Sequence, residues 1–293
     1  MNLSPTLSCV LDARASLGEC PVWSVREQVL YWVDINEPAL HRFDPQRAED
    51  RVMALPAAVG SFALRERGGF VLALRTGIFL ADAEGRIERK VAEAPYDPHH
   101  HRFNDGRCDR QGRFLVGTMN EDRNAPSAAL YRLDTDFSLH RLAGDMTISN
   151  GLAFSPDGRT MYHADTPARI VRAYDYDVVT GTPSGPRVFA QWAGETERPD
   201  GATIDADGNY WVAFYRGGKV VQLSPRGDRL REHPLDAQCP TMPAFGGADL
   251  RTVFVTSARQ ERDAEELARL PLSGGVFAMA AAVAGLPEPL FAG

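Results

Sequence analysis

Ser155-Pro156-Asp157-Gly158, followed by Met161-Tyr162-His163-Ala164-Asp165, is the stretch that decides the fold: a tight-turn tetrapeptide running into a short alternating segment. Proline presets the φ of a turn, aspartate bonds its own backbone, and glycine supplies a left-handed residue, while the run that follows has the period of a half-buried strand. The unit recurs as Asp109-Arg110-Gln111-Gly112 before 113–118 and as Asp205-Ala206-Asp207-Gly208 before 209–214. Weaker copies are Arg67-Gly68-Gly69 before 70–74, residues 24–27 before 29–34, and Asp249-Leu250-Arg251 before 253–257. A second strand and turn follow most of these, as at 130–134, 170–177 and 219–224, so each unit reads as a small antiparallel meander.

Six such meanders recur at a period of about 40 to 50 residues, the signature of radial repetition. The one helical-looking stretch is 263–270. A parallel sheet needs crossover helices that this pattern lacks, and a β-sandwich is the weaker all-β alternative. The expected fold is all-β: a six-bladed β-propeller with four-stranded antiparallel blades, one domain over 1–293.

Composition agrees with a globular chain, with 44% hydrophobic and 24% charged residues. A net charge of −7 and no basic run argue against a nucleic-acid partner. No segment has membrane-spanning length, and residues 1–11 do not read as a secretory leader. Cys9, Cys20, Cys108 and Cys239 form no C-x-x-C pair, which fits reduced thiols in a cytoplasmic protein. The sequence leaves the oligomeric state open and is compatible with a monomer.

Counting eight residues back from each turn glycine, or its equivalent, gives Glu19, Gly60, Asn104, Asn150, Asp200 and Met242. Equivalent positions of successive blades surround one axis, so these side chains are expected to form a ring around the central channel. Carboxylates gathered in a closed channel repel one another and lose hydration unless a cation compensates them. Glu, Asp and a neutral Asn oxygen suit one divalent ion, Ca2+, Mg2+ or Mn2+, with Zn2+ and Fe2+ also possible for two carboxylates. Gly60 and Met242 carry no charge and are expected to leave one side of the ring open or apolar, where a small substrate could sit beside the metal.

At these residues the chain resembles the senescence marker protein, gluconolactonase and regucalcin family of six-bladed propellers. The resemblance rests on Leu17-Gly18-Glu19-Cys20-Pro21-Val22-Trp23, Arg102-Phe103-Asn104-Asp105-Gly106, Ser149-Asn150-Gly151-Leu152 and Pro199-Asp200-Gly201, in order over nearly the whole chain. It implies that Glu19, Asn150 and Asp200 are the metal ligands, that Asn104 lies beside them, and that Arg102 reaches into the same mouth to hold substrate. It also implies the hydrolysis of a sugar lactone, similar to the aldonolactonases of sugar oxidation. Where the family often has Asn-Arg-Phe-Asn-Asp-Gly, this chain has His101 before Arg102, within a His99-His100-His101 run. Consecutive histidines cannot all face one ion, so this run reads as a loop or lid.

Opening a lactone requires a polarised carbonyl, an activated water and stabilisation of the developing oxyanion, needs a divalent ion can serve. No G-x-S-x-G elbow is present. Asp200 is the expected general base, with Glu19 the alternative, and Glu121 is a candidate hydroxyl contact as readily as an exposed loop carboxylate. Competing readings are an organophosphate or aryl-ester hydrolase on the same scaffold and a non-catalytic calcium-binding regulator. The ring lacks the D-x-D-x-D-G loop of dedicated calcium binders, which weighs against the regulator.

Overall fold

The computed structural model describes residues 6–293, and the first five residues of the N-terminal stretch discussed above lie outside them. Six four-stranded antiparallel sheets are arranged as the blades of a propeller. The innermost strands are Gly18–Ser24, Val59–Leu64, His101–Cys108, Ser149–Phe154, Arg198–Ile204 and Cys239–Gly246. Each blade runs outward in sequence order, except that the sixth takes its outermost strand from the other end of the chain. There Ser8–Leu11 pairs antiparallel with Val276–Ala280, joining the two ends of the chain in one sheet.

The side chains explain the radial order. Inner strands are buried almost throughout, whereas outer strands such as Ile87–Glu93 and Arg229–Pro234 are charged and mostly exposed. Large apolar residues including Trp32, Phe62, Phe103, Phe114 and Tyr210 are fully buried and fill the space within and between blades. The turns after the inner strands use the predicted chemistry, with Gly112, Gly158 and Gly208 at φ of 74°, 74° and 82°. In the last blade Leu250 takes that left-handed position at φ 57°. In the first blade the left-handed residue is Gln28, one past the position used for counting, so that turn is one residue longer.

Every inner strand carries a register shift near its ring position, for example between Glu19 and Val22, Phe103 and Gly106, and Pro199 and Ala202. The same irregularity falls at Val59/Ser61, Asn150/Ala153 and Pro240/Pro243. A bulge re-aims side chains and commonly flanks a site. Six of them at one level give the channel a floor of re-aimed residues.

Ala264–Arg269 forms the one α-helix among the described residues, within the stretch read as helical. Asp263 caps it by accepting the Glu266 N–H at 2.7 Å. Among these residues no helix is long and apolar enough to cross a membrane.

Candidate active site

A cavity of about 370 Å3 opens where the inner strands begin, and Glu19, Asn104, Asn150 and Asp200 line it together with Arg102. All five are buried. Gly60 and Met242 do not line it, which corrects the expectation that they leave the ring open for substrate. Both serve strand packing instead. A methyl group on Gly60 would overlap the Phe103 carbonyl of the next inner strand, and Met242 lies against Gly201. Arg169, Arg198, Tyr215 and Arg216 also line the cavity.

A directed hydrogen-bond chain sets the amides. Thr166 Oγ1 donates to the Pro199 carbonyl at 2.7 Å, so its oxygen accepts from Asn150 Nδ2 at 2.8 Å. A hydroxyl has one proton, and this fixes which face of the Asn150 amide is oxygen. Asn150 Oδ1 then accepts from Asn104 Nδ2 at 2.8 Å, and the same Nδ2 donates to the Ser149 carbonyl at 2.9 Å. Arg102 Nη1 completes the chain, donating to Asn104 Oδ1 at 2.6 Å and to the Phe103 carbonyl at 2.9 Å. One lone pair of Asn150 Oδ1 remains for a ligand.

The carboxylates are under electrostatic stress. Burial raises Glu19 well above the ordinary carboxylate range, and the charge of Asp105 adds to it. Asp200 is raised by burial first and by the Glu19 and Asp105 charges next. Asp105, in the motif Asn104-Asp105-Gly106, is pushed up to about 6 by burial, while the Leu152 N–H that it accepts at 2.9 Å opposes the shift. Glu19 Oε2 accepts the Cys20 N–H at 3.2 Å, and neither Glu19 nor Asp200 has a salt-bridge partner among the described residues. Two buried carboxylates beside a neutral amide oxygen form a hard, oxygen-only donor set that fits a divalent cation. No group of three or more His, Cys, Asp or Glu side chains is gathered for a metal among the described residues, and the neutral amide of Asn150 is the further oxygen donor that the lining offers beside the two carboxylates.

Other predicted residues fall outside this set. Glu121 does not line the cavity. It receives both Nη groups of Arg75, at 2.5 and 2.9 Å, and lies 3.6 Å from Arg102 Nε. Its carboxyl is held below the ordinary range chiefly by the Arg75 hydrogen bond. Glu121 therefore backs Arg102 from outside the cavity. The histidines part company: His100 Nδ1 meets Asp122 at 2.8 Å and His101 Nε2 meets Ser127 Oγ at 2.8 Å.

Sequence reasoning missed Thr166, Arg169, Arg198 and Arg216. For Arg198 a signal existed. Residues alternate along a strand, so positions two before the ring residues share their side; of the six this rule selects, Leu17, Arg102, Ile148 and Arg198 line the cavity and Ala58 and Pro240 do not.

Comparison with known proteins agrees with the fold and the motifs. The family described as the SMP-30/Gluconolactonase/LRE-like region matches residues 17–259. A protein of Pseudomonas putida named 6-deoxy-6-sulfogluconolactonase is 50% identical over 293 residues, covering 99% of this chain and 100% of its own. Regucalcin of Xenopus laevis is 36% identical, covering 98% of each. The crystal structure of a calcium-binding protein, regucalcin, from Agrobacterium tumefaciens superposes with a TM-score of 0.93 at 29% identity over 99% of both chains. With the matched family region spanning every ring residue from Glu19 to Met242, the chain belongs to the SMP-30/gluconolactonase/LRE-like family.

Proposed function

We propose that this protein hydrolyses a sugar lactone to the corresponding aldonic acid, using one divalent ion held by Glu19, Asn150 and Asp200. The observation that carries the reading is the pair of buried carboxylates, Glu19 and Asp200, that have no salt-bridge partner among the described residues and line one cavity with Asn104, Asn150 and Arg102. The relative named a 6-deoxy-6-sulfogluconolactonase supports lactone hydrolysis, and the relative titled a calcium-binding protein makes calcium the first ion to test. When bound, the ion supplies charge compensation to the carboxylates and Lewis-acid polarisation of the lactone carbonyl.

The chain's own residues do the rest. Asp200 accepts the proton of the attacking water at its carboxylate and passes it to the ring oxygen as the ester bond opens. Arg102, held flat against Asn104 and backed by Glu121, presents its remaining donors to substrate hydroxyls. Its orientation before substrate arrives lowers the entropy lost on reaching a reactive pose.

Activity is followed by pH drop against the spontaneous rate with pentono- and hexonolactones. Chelation is expected to remove it and a divalent ion to restore it. Asp200→Asn and Glu19→Gln are each expected to lower kcat/KM by at least ~1,000-fold while the far-ultraviolet spectrum stays that of a folded β-protein, since each removes a charged ligand of the ion and Asp200→Asn removes the base as well. Full turnover by thoroughly demetallated protein, or near-normal turnover by either variant at saturating metal, contradicts the assignment.

A further inference from the structure

The lining of the cavity is rich in arginine, in a chain whose net charge is −7. Arg123, Arg169, Arg198 and Arg216 all line it, in addition to Arg102. Arg198 opens an inner strand, and the other three stand in turns between the second and third strands of three consecutive blades. Those three share a second property: Arg123, Arg169 and Arg216 have φ of 54°, 55° and 65°. A side chain in the left-handed region costs free energy that glycine would not, and such residues concentrate where a site needs them. Left-handed residues also occur in turns that do not line the cavity, at Gln28, Ala48, Phe137 and Leu250, so what sets these three apart is that each brings a guanidinium to the same lining.

Their hydrogen bonding leaves capacity facing the cavity. Arg169 gives Nη1 to the Ala193 carbonyl at 3.0 Å and Arg198 gives Nε to the Glu195 carbonyl at 3.0 Å. Neither has a carboxylate partner among the described residues. Arg216 Nη2 reaches Glu261 at 3.2 Å, yet its buried Nε has no partner; Arg123 shares Glu261 at 3.8 Å. Apart from Glu19 and Asp200, Glu195 is the one carboxylate of the lining, and it is exposed. A guanidinium fork matches an oxyanion with several acceptor oxygens, and two converging forks hold it more strongly than neutral donors would.

We infer that Arg169 and Arg198, supported by Arg216, form a subsite for a non-reacting anionic group, a sulfonate or phosphate, on the substrate end distant from the lactone carbonyl. The inference rests on the lactone hydrolysis proposed above and narrows its substrate to a charged lactone. It also gives the mouth a role in capture, because a basic funnel concentrates anions before they reach the reacting end.

The test uses the full chain with saturating divalent ion and three substrates: glucono-1,5-lactone, its 6-phosphate and its 6-deoxy-6-sulfo counterpart, each corrected for spontaneous opening. At least one charged lactone is expected to exceed the neutral one in kcat/KM by about tenfold or more, the gain of one or more charge-assisted hydrogen bonds, and the lead should shrink as ionic strength rises. The better of the two identifies sulfonate or phosphate as the group recognised. Arg169→Gln and Arg198→Gln should each lower the charged-to-neutral ratio by about tenfold, mainly through KM. A neutral lactone turned over as well as both charged ones, or a ratio unmoved in both variants, overturns the subsite and leaves lactone hydrolysis standing. Turnover of none of the three overturns the underlying reading, and the subsite with it.

Discussion

Thr166 gives its one hydroxyl proton to the Pro199 carbonyl and so dictates that Asn150 offers oxygen, not nitrogen, to the floor of the cavity. Thr166→Val removes that constraint with little change of volume. It is expected to weaken divalent-ion affinity by about 10- to 100-fold, the range seen for partners that orient a ligand, while Thr166→Ser keeps most of it; calorimetric titration decides, and equal affinities in the two variants contradict the role. A pH effect follows from the buried carboxylates. Asp105 at about 6, and Glu19 and Asp200 also raised, bind protons in the folded state that the unfolded chain has already lost. Metal-free protein should therefore lose stability as pH rises from about 4 through 6 and beyond. Divalent ion should raise Tm more at pH 8 than at pH 5, and a pH-independent increment would contradict the coupling. Legibility at this scale was uneven. Asn150 and Asp200 stand in a countable register before their turn glycines and Glu19 is one residue off it, but Thr166 lies in a turn whose contact with Asn150 is made only across the blade.

At the scale of elements, the inner strands touch one another so closely that some ring positions must be small. Gly60 faces the Phe103 carbonyl of the neighbouring strand, and no side chain fits between them. Gly60→Ala is expected to destabilise the fold by about 1–3 kcal/mol, the usual cost of overpacking, read as a lower urea midpoint at unchanged slope; an unaltered midpoint would show that the strands can separate without cost. The turn glycines announced the strands because their backbone need is local. The bulges beside the ring were not legible, since a register shift is a relation between two strands and neither strand's own sequence marks it. The same reason made Gly60 read as an open place in the ring when it is a packed one.

Across the whole molecule, Ser8–Leu11 closes the sixth blade against Val276–Ala280. Without that pairing Val276–Ala280 becomes a free edge, and a propeller avoids aggregation largely by having few such edges. Deletion of residues 1–11 is expected to lower Tm by several degrees and to raise light scattering on heating; a truncated protein as stable and monodisperse as the full chain would contradict the role of the closure. The tail reinforces the far end of the channel. The Phe291 and Ala292 N–H groups donate to the Leu64 and Gly112 carbonyls, and Glu288 lies 3.2 Å from Arg107.

The sequence by itself determined the strand rhythm, the blade number and the register of Glu19, Asn104, Asn150 and Asp200, because turn chemistry and alternation are local and repeat at a fixed spacing. The tertiary structure alone decided which faces of that ring are packed shut, how Asn150 is oriented, and that Arg123, Arg169, Arg198 and Arg216 line one cavity. Arg123, Arg169 and Arg216 lie far apart along the chain in short turns and Arg198 at the start of a strand, and a charged residue read singly at such a place is a solvated one. The circular arrangement of the blades, a property no single repeat contains, brings their side chains to the same cavity.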